Sequence, residues 1–405
     1  MSAISHNPKI FMSAGEASGE HYGALLMTEI RRLAPEAEFF GLGGRRMASL
    51  GLRRVVRAED VAVMGITEVI LHMPRIYGEY RKLKASLRAE RPDIAILIDF
   101  PDVNLSLAAE LRRLNIPVVY FVSPQIWAWK KWRIRGVRRN VTRMLVIFPF
   151  EEAFYRSHGI AADFVGHPLA DLDRPKMTRE TFASENGLDA SKSWIGLLPG
   201  SRSRELLANL PPMFEAARVL GPKYEYLLPV APTLQHAQVQ ALASQANGVT
   251  VRVVHDARAV LQHARASIVA SGTATVEAAL IGNPFVVVYR VSRVTYAVAQ
   301  KVVRVAHVGM VNLIAGRRIV PELIQHDFTA SKVVEQLRPL LENEEARATM
   351  QSDLRMVGTL LKVSNDDGGT RQTAIEHAAR IALQLIPAAQ QPRLQSALVS
   401  PWPVE

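Results

Sequence analysis

Short apolar runs alternate with amphipathic stretches along most of the chain, and the alternation predicts strand followed by helix, repeatedly. Lys9 to Ala14 reads as a strand. Ser18 to Leu33 reads as a helix, because Leu25, Leu26, Ile30 and Leu33 recur near helical spacing. Asp93 to Ile98 is a continuous apolar strand, Leu105 to Leu114 a helix, Val118 to Val122 a strand and Met144 to Ile147 another. A loop-rich stretch, Gly166 to Lys192, interrupts the pattern with Pro168, Pro175 and several charges. The alternation then restarts: strand Trp194–Leu198, helix Glu205–Leu220, strand Tyr226–Val230, helix Thr233–Ala246, strand Val249–Val254. A short helix near Ala257–His263 follows, then strand Ala266–Ala270, helix Thr273–Ile281 and strand Phe285–Tyr289. The remainder reads as mainly helical to about Leu385, before a Gln-, Ser- and Pro-rich tail.

Strands that are apolar throughout are buried on both faces, which predicts parallel sheets covered by helices on each side. The fold class expected is α/β, with two Rossmann-like domains. The interruption at residues 166–192 supplies the boundary, and 405 residues is more than one hydrophobic core usually serves. Open parallel sheets bind ligands beyond the carboxyl ends of their strands, so two of them imply an interdomain cleft.

Charge narrows the partners. The formal net charge of +11 favours anionic ones: nucleic acid, an anionic membrane surface or phosphorylated substrates. No recognised nucleic-acid motif accompanies it. The chain has no cysteine, which removes disulfides, thiolate metal sites and a Cys nucleophile. The polar start, Met1 to Ile10, leads directly into a strand and does not read as a signal peptide. No uncharged apolar run approaches the ~18 residues of a membrane span. The protein is therefore expected to be soluble or peripheral.

Candidate chemistry sits at strand ends. Leu197 to Glu205 (Leu-Leu-Pro-Gly-Ser-Arg-Ser-Arg-Glu) and Ser271 to Glu277 (Ser-Gly-Thr-Ala-Thr-Val-Glu) are turns that each follow a strand and open a helix. A small Gly-containing turn admits close backbone approach, and a helix N-terminus offers free N–H groups and partial positive charge. Arg202 suits a diphosphate, Glu277 sugar hydroxyls, and Asn312 a closing contact over a nucleotide. Ser13 to Glu20 is the first strand-to-helix turn, with Ser18 as its expected cap. Asp99, Asp102 and Asn104 follow the fully apolar strand. Asp99 lies nearest the strand end, where partial desolvation would raise its pKa and suit it to act as a base, while Asp102 or Asn104 caps the next helix.

Three segments keep two readings each. Trp127 and Trp129 either pack on the core or line a substrate surface. The basic run Lys130, Lys131, Arg133, Arg135, Arg138 and Arg139 is a phosphate or membrane surface, or a solvated helix face. Val61 to Met73, apolar almost all round beside Arg75, Arg81, Lys82, Lys84, Arg88 and Arg91, is a peripheral membrane contact or a buried helix next to a solvated one. Asp171-Leu172-Asp173 is a solvated turn, and the lone histidines lack metal-ligand spacing, so no metal is expected. The glycine fingerprints of dinucleotide- and ATP-binding loops are absent.

In family order, several stretches together resemble the lipid-A-disaccharide synthases, bacterial glycosyltransferases of GT-B architecture. They are Ala14–Gly19, Val63–Val69, Ile98–Asp102, Val122–Trp129, Phe148–Glu151, Val165–Pro168, Leu198–Arg202, Ser271–Ala274 and Asn312–Gly316. Ser123-Pro-x-x-Trp-Ala-Trp129 is the most specific of these. The resemblance implies an inverting transfer from UDP-2,3-diacylglucosamine to the 6-hydroxyl of 2,3-diacylglucosamine 1-phosphate, giving a β-1,6 disaccharide and UDP. It implies no cofactor and a cytoplasmic, peripheral location on the inner face of the inner membrane. Asp99 matches the family's proposed base, while Glu277 and Asn312 match positions expected to hold the uridine nucleotide. Residues 1–170 would form the acceptor domain and 190–362 the UDP-sugar domain. By fold analogy, 363–386 would include a helix packing back on the first domain, and 387–405 a loose tail. The candidate substrate-binding residues are Gly15, Glu16, Ser18, Asp102, Ser123, Trp127, Gly200, Ser201, Arg202, Ser271, Gly272, Thr273, Glu277 and Asn312. The alternatives are a UDP-sugar epimerase of the same fold and, from charge alone, a nucleic-acid binder.

Overall fold

A computed structural model describes residues 7–61, 66–292, 306–363 and 372–386, together with 296 and 300; the side chains of 66–76 and 131 are not part of that description. The apolar segment Val61–Met73 therefore lies, beyond Val61, outside the described side chains, and Asn365–Gly369 and the tail from Pro387 lie outside the described residues altogether.

Two compact units divide the chain. The first combines residues up to Pro168 with the segment from Val363 onward, and the second is Leu169–Lys362. In the first, seven parallel strands run in the order β3-β2-β1-β4-β5-β6-β7: β1 Lys9–Ala14, β2 Glu38–Gly43, β3 Leu52–Arg57, β4 Ile94–Ile98, β5 Val118–Phe121, β6 Arg143–Val146 and β7 Ala162–Phe164. In the second, six parallel strands run β10-β9-β8-β11-β12-β13: β8 Ser193–Leu198, β9 Tyr224–Pro229, β10 Val251–Val254, β11 Ala266–Ala270, β12 Phe285–Tyr289 and β13 Glu322–Ile324. Each order reverses beside the unit's first strand, the topological switch point at which parallel sheets open a crevice.

Burial explains which strands the sequence announces. The central β4 and β5 are buried at every residue, consistent with cover on both faces. The strands missing from the hydrophobic pattern are β2, β3, β7 and β13. β3 carries Arg53, Arg54 and Arg57 on a sheet edge, and β7 and β13 are three-residue edge strands. β2 contains Gly41, where the register with β3 shifts and where a Cβ would collide with the carbonyl oxygen of Met12.

The stretch read as loop, 166–192, contains a 3₁₀ turn at Pro168–Asp171 and an α-helix at Arg179–Asn186, capped by the Thr178 hydroxyl and closed by Gly187. Helix Ala374–Gln384 starts from a capping box made by Thr373 and Glu376. It packs in the core of the first unit, where its Ala378, Ala379, Ala382 and Leu383 join Leu26 and Ile30 of helix Ala17–Leu33. Small side chains along that face let the two helices approach closely.

Candidate functional site

The first cluster forms where β1, β4 and β5 end. Asp99 follows β4, and its backbone N–H donates to the Phe121 carbonyl at 3.0 Å, continuing the ladder one residue past the strand. Asp99, Phe100 and Val122 all have left-handed backbone, with φ of 45°, 49° and 60°. Three non-glycine residues in that region store strain beside one another, which a fold keeps only where surrounding contacts over-determine it.

Those contacts are visible. Asn104 is fully buried, and its amide donates to the carbonyls of Asp99 at 2.7 Å, Ile98 at 3.1 Å and Ser13 at 3.3 Å. The Ser13 hydroxyl donates back to Asn104 Oδ1 at 2.6 Å, and the Tyr120 hydroxyl donates to the Asp99 carbonyl at 2.6 Å. The backbone of Asp99 is thereby pinned while its carboxyl group stays half-buried. Burial pushes that carboxyl up to about 6, and the nearby Glu16 carboxylate adds to the shift. The carboxyl is then largely ionised at neutral pH, yet a stronger base than an ordinary aspartate.

Two capping expectations around these strand ends are changed. Helix Ala17–Leu33 is N-capped at Glu16 without a side-chain bond, so Ser18 is not its cap; Ser18 and Glu16 both stand exposed. Gly15 answers to sterics within the protein, since a Cβ there would collide with the Phe100 ring. Neither Asp102 nor Asn104 caps the next helix. It begins at Pro101, whose fixed φ suits the first helical position, with left-handed Phe100 as N-cap. Asn104 instead turns inward as described, and the exposed Asp102 pairs with Arg133.

The Ser123–Trp129 segment is organised by a residue absent from the candidate set. Glu151, buried in the first turn of helix Pro149–Ser157, accepts from the Ser123 hydroxyl at 2.5 Å and from the Trp127 indole N–H at 2.9 Å. Its other oxygen accepts the Phe148 N–H at 3.2 Å. The Tyr155 hydroxyl holds the Pro124 carbonyl at 2.9 Å. Burial pushes the Glu151 carboxyl up to about 7, although the Ser123 and Trp127 bonds pull the other way. Ser123 and Trp127 therefore spend their polar groups on the protein, and the Trp127 ring sits edge-on to Phe150 at 4.9 Å. The signal available in the sequence was a glutamate two residues after a proline that opens a helix, the third helical position, where a carboxylate reaches back to the N-cap N–H. Trp129 and Trp132 differ, at 42% and 72% exposed.

In the second unit, Gly200 has φ 117° and packs so tightly on Glu205 that a Cβ would collide with the carboxylate. That carboxylate accepts the N–H groups of Ser201 at 2.9 Å and Arg202 at 3.3 Å, and Arg202 reaches it at 3.5 Å. The turn is an anion seat in which the helix's own carboxylate sits. At the second turn, Gly272 N-caps helix Thr273–Ile281 without a side-chain cap, and Gly272 and Thr273 are exposed. Glu277 is more deeply placed. Burial raises its pKa, Arg258 opposes the shift and Asp256 adds to it. It lines a cavity of about 380 Å³ with Arg174, Arg258, Arg355 and Lys362, one helical turn beyond Ser271–Thr273.

Asn312 is held within the second unit. It is fully buried, its amide donates to Val320 O at 2.9 Å and Glu322 Oε1 at 2.7 Å, and its oxygen accepts from Ile319 at 2.7 Å and Val320 at 3.0 Å. With both ends of its amide bonded inside the protein, it holds the loop before β13. Asn312→Ala would leave the backbone N–H groups of Ile319 and Val320 unpaired and remove one of the bonds to Glu322, which keeps those from Val308 and Gly309, so unfolding free energy should fall by about 2–3 kcal/mol in urea titrations.

Two doubly wound parallel sheets with Gly-containing strand-to-helix turns define the GT-B class of α/β proteins. Solved structures of the same architecture include the kitacinnamycin glycosyltransferase (TM-score 0.60, 14% identity, 94% of this chain and 100% of that one) and MurG of Acinetobacter baumannii (0.55, 15%, 93% and 99%). The UDP-GlcNAc 2-epimerase of Neisseria meningitidis shares it too (0.58, 13%, 93% and 98%). Identities this low speak to fold alone.

Sequence comparison goes further. The lipid-A-disaccharide synthetase family matches residues 10–368. The lipid-A-disaccharide synthase of Acidobacterium capsulatum is 59% identical over 92% of this chain and 97% of its own length, and that of Koribacter versatilis is 48% identical over 93% and 98%. The chain belongs to the lipid-A-disaccharide synthase family, glycosyltransferases of lipid A biosynthesis.

Proposed function

We propose that this protein transfers 2,3-diacylglucosamine from its UDP derivative to the 6-hydroxyl of 2,3-diacylglucosamine 1-phosphate, with inversion. The observation that carries the mechanism is the pinned, half-buried Asp99 with its carboxyl raised to about 6. In the proposed step the acceptor hydroxyl gives its proton to the Asp99 carboxylate, and its oxygen bonds to the anomeric carbon. The bond from that carbon to the diphosphate breaks, and UDP leaves with the electron pair. A positioned base of this kind contributes roughly 10²–10⁴-fold.

The departing diphosphate needs positive charge. On this reading Arg202, the Ser201 N–H and the uncapped N-terminus at Gly272 and Thr273 supply it, and the diphosphate competes with Glu205 for the first turn. Arg202→Ala should lower kcat/KM for the UDP-sugar about 100-fold while leaving the urea midpoint unchanged, since the arginine is exposed and its pair with Glu205 is a surface one. Glu277 is assigned to the nucleotide's sugar. Contact with an anionic membrane surface belongs to the same reading, because both substrates carry acyl chains; among the described residues no helix is long and apolar enough to cross a membrane.

The test is incubation of the purified protein with both lipid substrates, reading disaccharide and UDP. Formation of disaccharide by the wild type and its loss in Asp99→Ala support the proposal. UDP release that is unaffected by the substitution removes Asp99 from its role. Conversion of UDP-N-acetylglucosamine supplied alone would favour an epimerase instead.

A further inference from the structure

Beside the Asp99 turn runs a groove that none of the roles above uses. It has a volume of about 360 Å³ and lies between helices Pro101–Arg113 and Ile134–Asn140. Pro101, Leu105 and Val137 give it an apolar lining, and Trp132 and Arg133 line its other side. Pro101 is two residues from Asp99, so the groove begins within about 8 Å of the candidate base along the backbone.

Its wall is unusual. Trp132 is 72% exposed although an indole is costly to leave in water. The Arg133 guanidinium lies 5.3 Å from the ring centroid and is itself paired with Asp102 at the groove's polar end. Arg135, Arg138 and Arg139 stand exposed on the same segment. The face thus combines an apolar trough, an uncovered aromatic side and a cationic border, which is the complement of an anionic amphiphile with its head at the arginines and its chain along Leu105 and Val137.

We infer that this groove takes an acyl chain of the lipid-phosphate acceptor, with Trp132 folding over the chain and Arg133 set toward the anionic head. The inference rests on the proposed transferase reading and specifies it: chain recognition occurs beside the base, on the unit that carries Asp99.

Steady-state kinetics of the full chain in mixed micelles tests it, using acceptors with long chains and with butyryl chains. Trp132→Ala should raise KM for the long-chain acceptor about tenfold and leave KM for the butyryl acceptor and for the donor within about twofold, since only the long chain loses apolar contact. Gly136→Leu, at an exposed position on the groove where an added Cβ meets no neighbour, should fill the groove and give the same chain-selective loss. Equal effects on both acceptors, or none, would overturn the inference. So would loss of binding to phosphatidylglycerol-containing vesicles by Trp132→Ala without any chain-length effect, which would make Trp132 a bilayer contact. If the wild type joins neither acceptor to the donor, the transferase reading fails instead, and the inference with it.

Discussion

Asp99→Asn should lose about 10²–10⁴-fold in kcat with little change in KM for either substrate, because it removes proton acceptance in the transition state and preserves the shape of the side chain. The wild-type kcat/KM should fall as pH drops below about 6, as the base protonates. The same substitution should not destabilise the protein. The folded carboxyl titrates near 6 and the unfolded one near 3.8, so the native state binds the proton more tightly. Its contribution to stability therefore increases as pH falls from about 6 towards 4 and is least favourable at pH 7 and above. Asn carries no charge to desolvate, so at pH 8 urea titration should find the variant as stable as the wild type or more stable, by at most roughly 3 kcal/mol. A variant that lost both activity and stability would show Asp99 to be structural.

The second large effect falls on a residue with no assigned chemistry. Glu151→Ala should cost about 3–5 kcal/mol, measured by urea or thermal unfolding. It leaves the Ser123 hydroxyl, the Trp127 indole N–H and the Phe148 N–H without their buried acceptor. Glu151→Gln should be milder at pH 8, since an amide oxygen still accepts from Ser123 and Trp127 and no charge is desolvated. The carboxyl lies near 7 when folded, against 4.5 as its ordinary value. Its contribution to stability thus rises as pH falls through about 7 towards 4.5 and diminishes above it. The gap between the wild type and Glu151→Gln should accordingly narrow on the alkaline side, and a gap independent of pH would place the ionisation elsewhere. Activity should fall along with stability in the Ala variant, because left-handed Val122 and Ser123 directly follow β5, whose Phe121 pairs with Ile98 beside Asp99.

The two carboxylates illustrate where sequence reasoning succeeds and where it stops. Asp99 was legible because it ends a run of five buried apolar residues, and a charge at the end of such a run has one destination, the carboxyl edge of a parallel sheet. Glu151 was illegible as a buried acceptor, because a glutamate early in a helix suits the dipole equally well in water. Only the tertiary fold brings the loop after β5 over that helix start. The internal bonds of Asn312 were illegible for the same reason: only the position of Glu322 and the 319–320 backbone shows where its amide is held.

What the amino-acid order determined by itself was the alternation of buried strands and covering helices, two doubly wound sheets and the small turns at their strand ends. Those features follow from local periodicity and from glycine, proline and helix-dipole chemistry, which act over a few residues. What the tertiary structure decided was the direction in which each polar side chain spends its hydrogen bonds. It also decided the inclusion of helix Ala374–Gln384 in the first unit, the membership of polar edge strands such as β3, and the juxtaposition of Trp132 with Leu105 and Val137. Each of these depends on groups distant in sequence sharing one desolvated space, and the cost of leaving a buried donor unpaired is set only when that space closes.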